Sequence, residues 1–269
     1  HPVMRIVGLV VLWREQIAMG IEGWRQKTGA GIGGWIRAVG EFEALSSIAA
    51  LAFERPEWSF PELAEGTPAL FEAADLRHPL LPRQKCVPND VALNAGARLL
   101  IVSGSNMSGK STLLRSIGLN CALAWAGAPV AATSLRVAPL RMGASIRTTD
   151  SLQDNRSRFL AEILRIRQIV GLVQQGRAVL FLLDELLSGT NSHDRLIGAA
   201  GIVRGLLAGD SIGLLTTHDL ALTQIESGEN VHFEDSIQDG EMEFDYKLRP
   251  GVVTHGNALA LMRAVGLEV

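Results

Sequence analysis

The segment Gly-Ser-Asn-Met-Ser-Gly-Lys-Ser-Thr at residues 104–112 restricts what this chain can fold into more than any other feature. It matches the pattern G-x-x-x-x-G-K-[ST] at every fixed position. An apolar run at residues 99–102 precedes it and a helical pattern follows it, which is the strand, loop and helix context that the pattern requires. The sequence therefore predicts a phosphate-binding loop.

The residue types in this loop suit the phosphates of a nucleotide. Its glycines let successive backbone amides point inward at anionic oxygens. Lys110 adds a positive charge within reach of the β- and γ-phosphates, and Ser111 offers a hard oxygen ligand for Mg²⁺. The helix that begins near Ser111 adds partial positive charge. The alternative, a chance Gly-Lys-Ser turn before a helix, is disfavoured because all three elements agree. We expect phosphate contacts along the whole loop: Gly104, Ser105, Asn106, Met107, Ser108, Gly109, Lys110, Ser111 and Thr112.

Composition sets broad limits. The chain has 269 residues, 47% of them hydrophobic, and a net charge of −3, so no basic surplus indicates nucleic-acid binding. Cys86 and Cys121 predict two reduced packing cysteines in an intracellular, cytoplasmic protein. The apolar run at residues 6–13 is too short to span a bilayer. Because the sequence begins with His1, we expect a piece of a longer polypeptide.

The first part of the chain carries no evident chemistry. We predict a helical segment over residues 1–64 and a nucleotide-binding domain over residues 65–269. Glycines at residues 29–34 are expected to interrupt the helical pattern. Apolar residues recur at helical spacing from Phe42 to Phe53, which predicts an amphipathic helix packed on the next domain.

Two carboxylates follow a predicted buried strand. Residues 178–183 are all apolar, as in a parallel strand covered on both faces, and Asp184 and Glu185 follow its carboxyl end, where such sheets bind ligands. Asp184 would hold Mg²⁺ through water, and Glu185 would orient and deprotonate an attacking water. A helix cap after a core strand is the alternative, which the phosphate loop upstream makes the weaker interpretation.

A histidine follows the next apolar strand. Residues 211–217 predict a second buried strand, and His218 comes directly after it. At that position an imidazole can hydrogen-bond a γ-phosphate or the attacking water. The hypothesis is therefore that His218 joins the site.

Two further stretches are less specific. Residues 150–159 open a long helix, and their polar start is explained equally by helix capping and by anion binding. Residues 241–249 alternate as a strand with Tyr246 on its apolar face, and residues 257–265 predict a short final helix. We assign these last two elements to the scaffold.

In combination, these motifs resemble the ATPase domain of the MutS family. The resemblance covers residues 70–269 and rests on these motifs in chain order: Arg-His-Pro at 77–79, the loop at 104–112, Asn-Arg-Ser-Arg-Phe at 155–159, Leu-Asp-Glu at 183–185 with Gly-Thr at 189–190, Thr-His-Asp at 217–219, and Tyr-Lys-Leu-Arg-Pro-Gly at 246–251.

The resemblance implies an α/β fold, a P-loop NTPase of the ABC-ATPase type that forms a nucleotide-dependent homodimer and shares each ATP between two subunits. It implies that Ser111 and Asp184 hold Mg²⁺, that Glu185 acts on water, and that His218 senses the γ-phosphate. It also implies that Ser157 reaches the γ-phosphate of the partner's nucleotide in trans, and that residues 189–191 cross the dimer interface.

The sequence departs from the family pattern in places. Asn155 and Arg158 replace a usual glycine and threonine, and we hypothesise that Arg156 or Arg158 adds positive charge near the partner's phosphates. Two serines of the loop replace a proline and a glycine, while the essential glycines and lysine remain. The aromatic residue that stacks on adenine is replaced near Cys86, which leaves adenine and guanine both open.

The resemblance implies DNA as a partner of the full-length protein, with ATP hydrolysis coupled to DNA binding or mismatch repair. This chain contains no mismatch-reading domain. Some divergent relatives carry hydrophobic N-terminal regions, so membrane association of the parent protein is the second expectation.

Two other classes of protein fit parts of the sequence. Leu-Ser-Gly-Thr at residues 187–190 resembles a transporter signature, but it follows the Asp-Glu pair instead of preceding it. The second class is an ATP-gated switch with little turnover, in another ABC-type or a membrane-associated MutS-like protein. An intact Glu185 indicates a capacity for hydrolysis and not its rate, so the sequence leaves this alternative open.

Overall fold

A computed structural model describes residues 11–146, 158–238 and 241–253. The chain divides between Glu54 and Arg55 into two compact units. In the described part of the first unit there is one helix, α1 (Trp13–Glu54), and the second is a mixed α/β unit that contains the phosphate loop.

Helix α1 is continuous over 42 residues, so the predicted interruption at residues 29–34 is wrong. A glycine inside a helix costs about 1 kcal/mol relative to alanine and does not by itself end the helix. No residue of α1 is buried, and Phe42, Leu45 and Phe53 are all exposed. Within the described residues, no helix is both long and apolar enough to cross a membrane.

The second unit is built on a six-stranded sheet. Its strand order is β10-β9-β4-β8-β7-β6, with β10 antiparallel to β9 and every other neighbouring pair parallel. The strands are β4 (Leu99–Ser103), β6 (Arg141–Ser145), β7 (Val179–Leu183), β8 (Ser211–Thr217), β9 (Glu229–Gln238) and β10 (Glu241–Pro250). The strands predicted around residues 99–102, 178–183 and 211–217 are thus confirmed, and the fold is of the α/β class.

The central strands are apolar throughout because both faces of the sheet are covered. Leu100 and Val102 of β4 belong to one hydrophobic cluster, and Leu99 and Ile101 belong to another on the opposite face. Helix α2 (Lys110–Trp125) contributes to the first cluster, and helices α3 (Arg158–Gln174) and α4 (Ser192–Leu207) contribute to the second. Alternate residues of a strand point to opposite faces, so this burial requires an uninterrupted apolar run.

A smaller four-stranded sheet completes the first cluster. Its order is β1-β5-β2-β3, formed by β1 (Glu62–Leu63), β2 (Phe71–Leu76), β3 (Asn89–Leu93) and β5 (Ser134–Val137). Phe71 and Leu93 are fully buried in that cluster. The small sheet therefore covers the side of the main sheet on which α2 lies.

One glycine allows two central strands to pack closely. A Cβ atom built on Gly213 of β8 would lie 2.2 Å from the carbonyl oxygen of Phe181 in β7. Since real Cβ atoms do not approach this closely, only glycine fits here. Strands β7 and β8 pair in parallel with Leu183 opposite Leu215, so the residues after both strands emerge at the same edge of the sheet.

Candidate functional site

The phosphate loop joins the end of β4 to the start of α2. Gly104 has a φ of 147° and Gly109 has a φ of 108°, values that residues with a side chain rarely adopt. A Cβ atom on Gly104 would also lie 3.0 Å from the carbonyl oxygen of Phe233. Both glycines of the motif are thus required by the backbone, and Gly109 sits at the N-cap position of α2.

Lys110 lies inside the curve of the loop and is only 5% exposed. Its Nζ donates hydrogen bonds to the carbonyl oxygens of Gly104 at 2.8 Å and Ser105 at 2.5 Å. Helix α2 begins at Lys110, one residue before the predicted start. The positive charge of the ammonium and the amino end of the helix therefore act at the same point.

Ser111 links the loop to the carboxylate that follows β7. The Ser111 hydroxyl donates to Oδ2 of Asp184 at 2.7 Å. Oδ1 of Asp184 accepts from the Thr216 hydroxyl at 2.6 Å, and the Asp184 amide donates to the carbonyl of Ser145 at 2.8 Å. Two hydroxyl groups thus fix the carboxylate and the neighbouring strand β6 fixes the backbone of Asp184, a residue that is only 6% exposed.

Glu185 is the next residue and has an unusual backbone. Its φ is 48°, in the left-handed region that non-glycine residues seldom occupy. Its amide donates to the Thr216 hydroxyl at 3.0 Å, and its carboxylate oxygen Oε1 lies 3.7 Å from Nδ1 of His218. The carboxyl group is largely buried, whereas the imidazole is about half exposed. His218 is therefore the member of this pair that is open to solvent.

A cleft of about 650 Å³ opens beside the loop. Lys110, Ser111, Asp184 and Glu185 line one part of it, and Cys86 and Val87 line another, together with Phe233 and Tyr246. The cleft therefore offers both charged and aromatic side chains, as a nucleotide with its phosphates and base requires.

Tyr246 reaches the cleft because β10 is irregular. The register between β9 and β10 shifts between Phe244 and Leu248, and Tyr246 has a φ of 55°. The Asn89 side chain spans this irregularity, donating to the Tyr246 carbonyl at 2.9 Å and accepting from the Leu248 amide at 2.7 Å. The prediction of a regularly alternating strand is thus wrong at Tyr246.

His78, in the Arg-His-Pro motif at residues 77–79, also borders the cleft. Burial, and secondarily the positive charge of Arg115, lower the pKa of His78. Cys86 Sγ accepts a hydrogen bond from the His78 amide at 3.2 Å.

Cys121 lies fully buried in α2, and burial raises the pKa of its thiol, so it is an unreactive packing residue.

Several predicted residues lie outside the part of the chain that the structure describes. Asn155, Arg156 and Ser157 lie outside the described residues, and so does the predicted final helix at 257–265. Helix α3 is described from Arg158 onward, and Ile166, Ile169 and Val173 form its buried side, as their helical spacing predicts.

Sequence reasoning missed Thr216 and Tyr246. Thr216 is fully buried and bonds to both Asp184 and Glu185. A hydroxyl group in a strand that is otherwise buried and apolar needs a hydrogen-bond partner, and this rule could have identified Thr216 from the sequence. Nothing in the alternating pattern of β10 indicates that Tyr246 leaves the regular strand.

A glycine-rich loop between a parallel strand and a helix, with carboxylates at the same edge of the sheet, defines an α/β protein of the phosphate-loop class. The chain belongs to the MutS family, since the family model described as MutS domain V matches residues 100–268. This confirms the resemblance seen in the motifs.

The similar proteins carry MutS names. The chain is 33% identical to "Endonuclease MutS2" of Thermus thermophilus and 31% identical to "DNA mismatch repair protein MutS 2" of Halobacterium salinarum, over 86% of its length in both cases. It is 33% identical over 78% of its length to "Endonuclease MutS2" of Thermomicrobium roseum. The chain spans only 27% to 30% of the length of these relatives.

Proposed function

We propose that this domain hydrolyses ATP to ADP and phosphate with Mg²⁺. The observation that carries the proposal is the 2.7 Å hydrogen bond between Ser111 and Asp184, because it joins the phosphate loop to the carboxylate pair. Phosphoryl transfer needs its phosphate cradle, metal ligands and water-activating group within one small volume. Lys110, Ser111, Asp184 and Glu185 all line the same cleft.

The donor set at this edge fits magnesium. Mg²⁺ prefers hard oxygen ligands and is usually held by one or two carboxylates together with substrate phosphates and water. The Ser111 hydroxyl and the Asp184 carboxylate are such ligands, and no group of three or more His, Cys, Asp or Glu side chains competes for a metal in the described chain. When bound, the ion would neutralise charge on the phosphate oxygens.

Glu185 and His218 are suited to act on the attacking water. We assign Glu185 as the group that orients and deprotonates it, because its carboxylate is largely buried beside the loop. His218 would contact the γ-phosphate from the more exposed side, 3.7 Å from the glutamate. Lys110 would stabilise charge on the transferred phosphoryl group.

The loop has a further group that suits an anion. Ser108 Oγ is buried and has no hydrogen-bond partner among the described residues. Buried hydroxyls are nearly always paired, so an unpaired one inside a phosphate loop supports an anionic ligand there. This observation is independent of the sequence motif.

Tyr246 is proposed to stack on the base. Replacing it with alanine should raise the KM for ATP roughly tenfold with little change in kcat, because base–aromatic stacking contributes about 1 to 3 kcal/mol. Tyr246→Phe keeps the ring and should retain the wild-type KM. Steady-state kinetics with ATP and GTP measure both the stacking and the base preference. An unchanged KM in Tyr246→Ala would rule out this role.

The proposal includes a composite site in an ABC-type dimer. By resemblance, Ser157 of one subunit completes the γ-phosphate site of its partner, and residues 189–191 lie at the interface. The parent protein is proposed to couple this cycle to DNA, since its relatives are named as endonucleases and as a mismatch repair protein.

The composite site predicts that specific activity rises with protein concentration. A site shared between subunits is complete only in the dimer, so turnover per chain should follow dimer formation. ATP turnover is measured across a range of protein concentrations, with sedimentation in the presence and absence of ATP. Ser157→Ala should lose the activity gained on dimerisation while still binding ATP. Turnover independent of concentration, with Ser157→Ala fully active, would refute the shared site.

A further inference from the structure

The loop after β7 is held in a strained shape. Glu185 and Leu187, two residues apart and neither of them glycine, have φ values of 48° and 56°. Left-handed backbone is unfavourable for residues with a Cβ atom, and for leucine in particular no local side-chain hydrogen bond compensates. Such a conformation persists only where surrounding groups hold it.

Two charged side chains hold Leu187 from opposite directions. Oε1 of Glu162, on α3, accepts a hydrogen bond from the Leu187 amide at 2.7 Å. Nε of Arg195, on α4, donates to the Leu187 carbonyl at 3.1 Å. Both polar groups of this one residue are therefore fixed by ionisable side chains, which form stronger hydrogen bonds than neutral groups do.

Arg195 also connects the loop to the turn that carries His218. Its Nη2 donates to the Thr190 carbonyl at 2.8 Å, and its Nη1 lies 3.0 Å from Oδ2 of Asp219. The ion pair is 12% exposed on the arginine and 16% on the aspartate. Only a guanidinium has enough donors in a fixed plane to serve these three acceptors at once.

We propose that Glu162 and Arg195 form a clamp, defined by their bonds to Leu187, that positions Glu185 for hydrolysis and couples it to His218. This rests on the proposed ATPase function. Helix α3 also approaches this loop at a second point, outside the clamp: a Cβ atom built on Gly189 would lie 3.4 Å from the Phe159 ring. A displacement at the amino end of α3 would thus reach Glu185 through Leu187.

A purely structural ion pair makes a different prediction. If Arg195 only stabilised the fold, its loss would lower thermal stability without changing how the folded enzyme turns over. A positioning role instead lowers kcat at constant KM, since among the described residues neither Glu162 nor Arg195 lines the cleft proposed to bind ATP. Misplacing a reacting group by about 1 Å costs up to roughly a hundredfold in rate.

The test uses pairs of matched variants at both ends of the clamp. Arg195→Lys keeps the charge facing Asp219 but not the planar set of donors, and Glu162→Leu removes the acceptor for the Leu187 amide. Both should lower kcat at least about tenfold while KM stays within about twofold. Glu162→Gln retains an acceptor oxygen and should restore most of the rate. The control is Arg204→Gln, an exposed arginine of the same helix.

Hydrogen exchange of the amides at residues 185–191 provides a readout besides activity. In Arg195→Lys and Glu162→Leu these amides should exchange faster than in the wild type. In the double variant the loss of kcat should be smaller than the product of the two single losses, because both side chains bond to the same residue. Wild-type kcat, or unchanged exchange of the loop in both variants, would overturn the clamp. If the wild type itself fails to hydrolyse ATP, the ATPase proposal fails, and loop exchange alone then decides for or against the clamp.

Discussion

Replacing Glu185 with glutamine is expected to lower ATP turnover by about a hundredfold or more while leaving ATP binding intact. Glutamine keeps the size of the side chain and the left-handed backbone of Glu185, but its amide cannot accept a proton from water. General-base catalysis contributes typically 10²- to 10⁴-fold, so its loss sets this range. Single-turnover hydrolysis and equilibrium binding of ATP, measured on the same preparation, separate the two quantities.

The same variant separates a hydrolytic cycle from an ATP-gated switch. A machine that must hydrolyse ATP should accumulate in its ATP-bound state when Glu185 is changed, and sedimentation should then show a persistent dimer. A switch with little turnover should respond to ATP as the wild type does. Glu226→Gln, which changes an exposed glutamate, is the matched control. Turnover in Glu185→Gln equal to that of the wild type would remove Glu185 from the mechanism.

Local pattern was sufficient to predict the centre of the domain. The phosphate loop, the strand before it, and the apolar strands β7 and β8 are each recognisable from a few consecutive residues. Parallel strands present their carboxyl ends at one edge, so the amino-acid sequence alone is enough to expect Asp184 and His218 near Lys110. Each of these features can be predicted from the residues of one strand or one loop alone.

Residues whose roles depend on distant partners could not be predicted in this way. Thr216 bonds to Asp184, which is 32 positions away, and Arg195 bonds to Asp219, which is 24 positions away. Tyr246 reaches the cleft only because the register of β10 shifts, and Asn89 fixes that shift from 157 positions away. Such contacts depend on how elements pack, which no local period encodes.

The sequence also overestimated the effect of glycine in α1. Glycines at residues 29, 31, 33 and 34 were expected to interrupt the helix, yet it continues through them. Each glycine lowers the stability of the helix by a modest amount, but helix formation is cooperative, and the 42 residues of α1 propagate the hydrogen-bonded backbone through the four glycines. A cluster of glycines therefore predicts a weaker helix more reliably than it predicts an end.

Replacing Lys110 with methionine is expected to weaken ATP binding roughly a hundredfold. Lys110 is 5% exposed and its ammonium is bonded to the Gly104 and Ser105 carbonyls, so its charge acts on the phosphates with little screening by solvent. Removing one partner of a buried, hydrogen-bonded charge pair costs about 2 to 5 kcal/mol, and about 3 kcal/mol corresponds to that change in Kd. Methionine fills a similar volume without the charge. Titration with a fluorescent ATP analogue measures the effect.

The free energy of unfolding without nucleotide separates lost binding from lost folding. Methionine removes a buried charge but leaves the carbonyl oxygens of Gly104 and Ser105 without their donor, so Lys110→Met should be less stable than the wild type by about 1 to 3 kcal/mol when no ATP is present. With saturating ATP the wild type should gain stability and the variant should gain much less, because only a ligand bound to the folded state stabilises it. Lys27→Met, at an exposed position of α1, should match the wild type in both conditions. If Lys110→Met binds ATP with wild-type affinity, the loop does not hold the phosphates in the way proposed, and the roles of Ser111 and Asp184 at the metal would have to be reassigned with it.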